Sequence, residues 1–95
     1  MNTLDYLIII EPTKTGFSAY CPDLPGCISV GDTVEQTREN MQEAIELYIE
    51  ELIESGENIP LPGKLKDRIN TKGELHSDTF IAFISNQIGI HAKSA

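Results

Sequence analysis

The sequence predicts an α+β domain: a three-stranded antiparallel meander, one long amphipathic helix and a final strand, in the order β-β-β-α-β. Three observations predict it. Runs rich in β-branched and aromatic residues stand at 4–11, 17–20, 28–30 and 79–85, a composition that fits a pleated, half-buried surface. Proline and glycine separate the first three runs at 12–16 and 22–26, with turns between them. Between the third and fourth runs lies one long stretch of helical period.

The first strand, Leu4–Glu11, ends at Pro12. Its Tyr6, Ile8 and Ile10 fall on one face and Leu7 and Ile9 on the other, so it is expected to be covered twice. Pro12-Thr-Lys-Thr-Gly16 is a turn in which Gly16 is expected at positive φ, and Phe17–Tyr20 returns as the hairpin partner. No central strand can run through Pro22 to Gly26, because each proline fixes φ and removes a donor. Ile28–Val30 completes the meander.

The helix starts at Asp32 or Thr33. Thr33-Val-Glu-Gln36 has the capping-box spacing, with Thr33 as cap and Gln36 reaching back. Val34, Met41, Ile45, Tyr48 and Leu52 make the apolar stripe, which Ala44, Leu47, Ile49 and Ile53 widen. Ser55-Gly56 stops it. About 22 residues at the standard rise span about 33 Å, enough to cross one face of a small sheet. Two prolines then make Asn58–Gly63 an extended connector. Residues 64–75 carry four of the chain's seven basic residues (Lys64, Lys66, Arg68, Lys72) and no clear period, so they read as an irregular crossing. Thr79–Ser85 is the returning strand. The domain is placed at 1–86, with 58–78 as connector and 87–95 as a short C-terminal tail.

Ninety-five residues suffice for one core that buries roughly 60–65% of the unfolded surface. The longest apolar run, Tyr6–Ile10, is too short to cross a bilayer, and Met1–Asp5 has no basic signal-peptide region. A cytoplasmic protein without membrane contact is expected. The net charge of −8 would repel free nucleic acid, whose affinity for proteins comes largely from Lys and Arg. It suits a basic protein partner instead. Much of the acid lies on one helix face, where Glu35, Glu39, Glu43, Glu46, Glu50 and Glu54 follow at spacings of four, four, three, four and four. Like charges at such spacings oppose the helix by a few tenths of a kcal/mol per pair. The row is either a solvated face or a docking surface; being nearly uncompensated, it favours docking.

Tyr6 to Pro12, Gly16-Phe-Ser-Ala-Tyr20, Pro22-Asp-Leu-Pro-Gly-Cys27, Gly31-Asp-Thr33, the acidic helix ending at Gly56, and Ile59-Pro60 together resemble the core of a HicB-type antitoxin. That core is the partial RNase H-like domain of the HicAB toxin–antitoxin systems. The resemblance runs from about residue 4 to 62 in the family's order and spacing. It implies the same β-β-β-α-β fold and an antitoxin that occludes the surface of a small basic HicA-type mRNA-cleaving toxin. Full-length members often add a DNA-binding module. About ten residues follow the last strand here, so DNA binding is not expected from this chain alone.

Partner-binding candidates are Glu39, Glu43, Glu46 and Glu50 on the helix, with Tyr20, Asp23 and Leu24 at the proline-rich loop. An edge of the open sheet invites a second copy, as a dimer or tetramer. A stand-alone oligomeric binding or regulatory domain without a toxin is the first alternative. A metal-dependent nuclease remnant is the second: Glu11, helix glutamates and Asp78 supply carboxylates, but the interior of the first strand is apolar where an acidic ligand is needed. No catalytic, metal or cofactor residue is expected. Cys21 and Cys27 read as small buried apolar residues, and His76 and His91 lack a partner at metal spacing.

Overall fold

The computed structural model describes residues 2–63 and 79–88. Strands β1 (Asn2–Pro12), β2 (Phe17–Tyr20) and β3 (Ile28–Gly31) precede helix α1 (Val34–Ser55), and β4 (Phe80–Ile88) follows it. They form one antiparallel sheet in the order β3-β2-β1-β4. The expected α+β class and element order hold. β4 runs on to Ile88, past the boundary at residue 86, so residues 87 and 88 belong to the sheet. The crossing 64–75, Asp78 and both histidines lie outside the described residues.

Register decides what each face of the sheet carries. Ile10 sits opposite Ala19 on β2 and Phe80 on β4, and Tyr6 sits opposite Ile84. Tyr6, Ile8, Ile10, Ala19 and Ile84 therefore share a face, and they pack with Met41, Ile45 and Ile49 of α1 into the core. Phe17 and Phe80 close the end of this face edge-on, ring centres 6.3 Å apart. Leu7 and Ile9 point to the opposite face and are also fully buried.

Close approach sets the helix onto the sheet. A Cβ on Gly31 would stand 2.6 Å from Thr37 Oγ1 and 2.7 Å from its backbone N, so the strand meets the first turn of α1 only as glycine. Thr37 is fully buried, and its hydroxyl donates to Thr33 O at 2.7 Å. Thr33 Oγ1 caps the helix by accepting from Gln36 N–H at 3.0 Å. Gln36 Oε1 accepts from Asp32 N–H, one residue earlier than a strict capping box requires. At the other end Gly56 adopts φ 72°, and the N–H groups of Gly56 and Glu57 donate to Ile53 O and Leu52 O, the two bonds of a Schellman stop.

Gly16 corrects the expectation for the first turn. Among the described residues the glycines at positive φ are Gly26 and Gly56. Gly16 is required for space: its Cβ would stand 2.4 Å from Gly31 O. The turn is held by Thr13 N–H donating to Gly16 O at 2.8 Å and Gly16 N–H donating to Thr13 Oγ1 at 3.1 Å.

Candidate functional site

The proline-rich loop is built first as a piece of core. Cys21 N–H donates to Cys27 O, Leu24 N–H to Cys21 O and Cys27 N–H to Leu24 O. This ladder turns the side chains of Cys21, Leu24 and Cys27 inward, where all three are buried. Burial pushes the Cys21 thiol up to about 11, against bonds from the Asp23 and Leu24 backbone that favour the thiolate. It raises Cys27 as well. Both are free cysteines held as unreactive thiols at neutral pH.

Two tyrosines brace this loop and the connector. Tyr48 on α1 donates its hydroxyl to Pro25 O at 2.9 Å. Tyr6 on β1 donates to Pro60 O at 2.5 Å. Asp23 Oδ2 accepts from Gly63 N–H at 3.3 Å, so the loop and the connector meet.

Leu24 was expected as a recognition residue, and its place corrects that. Its side chain is fully buried in the core, because the loop's own hydrogen bonds turn it inward. Asp23 and Tyr20 are half-buried. Tyr20 stands opposite Ile9 and Ile28, on the sheet face turned away from α1. Tyr20 is thus not gathered with the helix glutamates into one surface.

Glu39, Glu43, Glu46 and Glu50 are all exposed along the outer face of α1, and Glu35, Glu51 and Glu54 are exposed beside them. The last turn carries no basic residue. The negative pole of the helix, equivalent to about half a charge, therefore adds to Glu50, Glu51 and Glu54 instead of being offset.

Leu47 was expected to widen the buried stripe. It is instead 62% exposed. At spacings of four, three, four and seven from Glu43, Glu50, Glu51 and Glu54, it sits among them on the helix surface. A large apolar side chain ringed by acid resembles the arrangement in which interface energy concentrates on a central anchor. Its position opposite Met41, Ile45 and Ile49 on the helix was a signal in the sequence, but its apolarity concealed it.

Among the described residues no group of three or more His, Cys, Asp or Glu side chains gathers to hold a metal. Glu11 sits at the end of β1 opposite Ser18.

These features match a known family. The family model of the HicB-like antitoxin of bacterial toxin–antitoxin systems covers residues 6–91. The chain belongs to the HicB-like antitoxin family. Its four-stranded sheet and single helix are similar to the N-terminal domain of Burkholderia pseudomallei antitoxin HicB. There the TM-score is 0.73 at 26% identity, covering 90% of this chain and 100% of that one. The fold is also similar to a chain of the HicA3 and HicB3 toxin–antitoxin complex, with a TM-score of 0.66 at 32% identity, covering 84% of this chain and 94% of that one. Among sequence relatives, an uncharacterized 14.9 kDa protein of Haemophilus phage HP1 is 38% identical over 65 residues, which are 68% of this HicB-like chain and 49% of the phage protein. The HicB-like chain thus aligns with about half the length of that relative. No helix among the described residues is long and apolar enough to cross a membrane.

Proposed function

We propose that this chain is an antitoxin that neutralises a small basic HicA-type toxin by covering its surface. The observation that carries the reading is the outer face of α1, where exposed glutamates surround Leu47. Glu39, Glu43, Glu46 and Glu50 would steer the basic partner and fix its register. Leu47 would supply the apolar contact that a purely electrostatic face lacks. The similarity to a chain of the HicA3 and HicB3 complex supports the same reading.

The protein acts here by occlusion and not as an enzyme, and it works in the cytoplasm, where an mRNA-cleaving toxin would be met. We further propose that it does so as a homo-oligomer.

Co-expression with a small basic HicA-type toxin, followed by pull-down and sizing, tests the proposal. A stable complex and relief of growth arrest are expected. No complex, with the chain eluting alone, would leave an oligomeric binding domain without a toxin. Reversing Glu39, Glu43, Glu46 and Glu50 to Lys is expected to weaken binding at least tenfold and flatten its dependence on salt. Calorimetry at two ionic strengths reads both. Unchanged affinity would remove the acidic face from the interface.

A further inference from the structure

The backbone of β3 is open along the edge that borders α1. Asn40 Nδ2 donates to Val30 O at 2.8 Å, so the Val30 carbonyl points away from β2. The N–H and C=O of one strand residue point the same way, and the direction alternates along the strand. Val30 N–H and both groups of Ile28 therefore face outward as well, while Ser29 and Gly31 face β2. Cys21 N–H donating to Cys27 O keeps the same alternation beyond Ser29. Val30 O is thus engaged, whereas Val30 N–H, Ile28 N–H and Ile28 O have no partner among the described residues. A strand edge with open donors and acceptors is a template for a further strand.

Three contacts fix which part of α1 borders this edge. Gly31 packs on Thr37, Val30 O meets Asn40 and Pro25 O meets Tyr48, so helix and strand run antiparallel. Two strand residues advance about 7 Å and one helix residue about 1.5 Å, which sets Ile28 level with the turn from Glu43 to Leu47. Leu47 follows Asn40 by seven residues, close to two full turns, and lies on the same flank of the helix. Glu43 and Glu51 stand beside it, and all three are exposed. Arg38 falls about 160° around the helix from Asn40, on the far flank. The open edge is therefore bordered by one apolar side chain between carboxylates.

Charge selects the occupant. A strand laid beside β3 turns alternate side chains toward α1 and the rest toward Ile28 and Val30, which are each 63% exposed. Basic residues on the α1 side and apolar ones on the other complement what is there. A second copy of a chain with net charge −8 is the poorer fit to these carboxylates. We infer that the β3 edge takes up an edge strand of the basic toxin through Ile28 N–H, Ile28 O and Val30 N–H, with Glu43 and Glu51 against its cations. The inference rests on the antitoxin reading and deepens it by naming the backbone contact that accompanies the acidic face.

Val30→Pro tests it in the complex with the basic HicA-type toxin. Proline removes the outward N–H and is accepted on an edge strand whose N–H faces solvent, so pairing with β2 remains. Calorimetry should show the toxin Kd raised roughly tenfold, with the dependence on salt retained because every glutamate is still present. Val30→Ala trims the side chain but keeps the N–H, and it should bind within about threefold of wild type. Circular dichroism checks that both variants fold. Amide hydrogen exchange of the wild-type complex needs no variant: Ile28 and Val30 N–H should exchange at least tenfold more slowly with toxin bound. Unchanged exchange at both amides, a folded Val30→Pro that binds as wild type, or equal weakening by alanine and proline would each overturn the inference. Each of these leaves a bound toxin and so the antitoxin reading in place. Failure of the wild type to bind toxin at all would overturn both.

Discussion

The two faces of β1 differ by one element. Tyr6, Ile8 and Ile10 look toward α1 and join Met41, Ile45 and Ile49 in a closed core. Leu7 and Ile9 look the other way and are equally buried, yet their row ends on either side in exposed Ile28 and Ile81. Alternation along a strand distributes side chains to both faces without regard to what will cover them. One amphipathic helix has one apolar stripe and covers one face. The burial of Leu7 and Ile9 on the second face is therefore not the work of α1.

The largest effect should come from opening the closed face. Ile45 is fully buried against the sheet, and Ile45→Ala removes its packing and leaves a cavity at a cost of about 2–5 kcal/mol. Urea unfolding should show the unfolding free energy falling by that amount, as a lower midpoint with the slope preserved. A loss below about 0.5 kcal/mol, the range of ordinary surface positions, would mean that α1 does not seal this face.

Alkaline pH probes the same core. Burial, with Cys21 and Asp23 nearby, pushes the Tyr6 hydroxyl from 10.0 up to about 12. Burial also pushes the Cys21 thiol from 9.0 up to about 11. Both groups hold their protons more tightly folded than unfolded, so above about pH 9 the unfolded chain has lost protons that the native one keeps. Stability from these groups is fully present below pH 9 and is lost as pH rises toward 12. Melting temperature should be flat in this respect from pH 7 to 8.5 and fall beyond 9. Cys21→Val should make the decline shallower, and an identical decline would mean that this thiol is not sealed in the core.

Most of the fold was legible because its signals are local. Pro12, Pro22, Pro25 and Gly56 interrupt periodic runs, and Thr33 and Gly56 cap the helix in the expected manner. What was missed depends on contacts between distant segments. Gly16 reads as a turn glycine, but it is needed because Gly31 O crosses close to it. Leu24 reads as an exposed loop residue until the hydrogen bonds among Cys21, Leu24 and Cys27 turn it inward. Leu47 reads as core from its apolarity, but its helical angle puts it among glutamates. The acidic row itself was plain in the sequence, since a helix face needs only spacing. The apolar row from Ile28 to Ile81 was not, because strand order and register are needed to align four separate segments.

The cap that begins the covering helix carries a smaller cost. Thr33 Oγ1 satisfies Gln36 N–H, and Thr33→Ala should lower stability by about 1 kcal/mol. Thr33→Ser should restore most of it. Thermal unfolding of the three proteins under one buffer separates the lost hydrogen bond from a general effect of substitution. Equal losses for Ala and Ser would assign the cost to something other than the cap.

Matched threonine substitutions give the most direct comparison, and the one on the far face gives the smallest effect. Ile10→Thr places a hydroxyl in the closed core, where a polar group without a partner costs about 1–3 kcal/mol beyond the lost apolar contact. Val30→Thr keeps β-branching, nearly keeps shape and leaves the hydroxyl in reach of water. Within a single chain it should cost no more than about 0.5 kcal/mol. Urea unfolding at several protein concentrations distinguishes the two sites. The Ile10→Thr penalty should be the same at every dilution, because the core belongs to one chain. The Val30→Thr penalty should stay small at every dilution, because Val30 is 63% exposed and the hydroxyl keeps its water. A Val30→Thr penalty as large as that of Ile10→Thr would show that Val30 is covered in solution and not exposed at the end of its row.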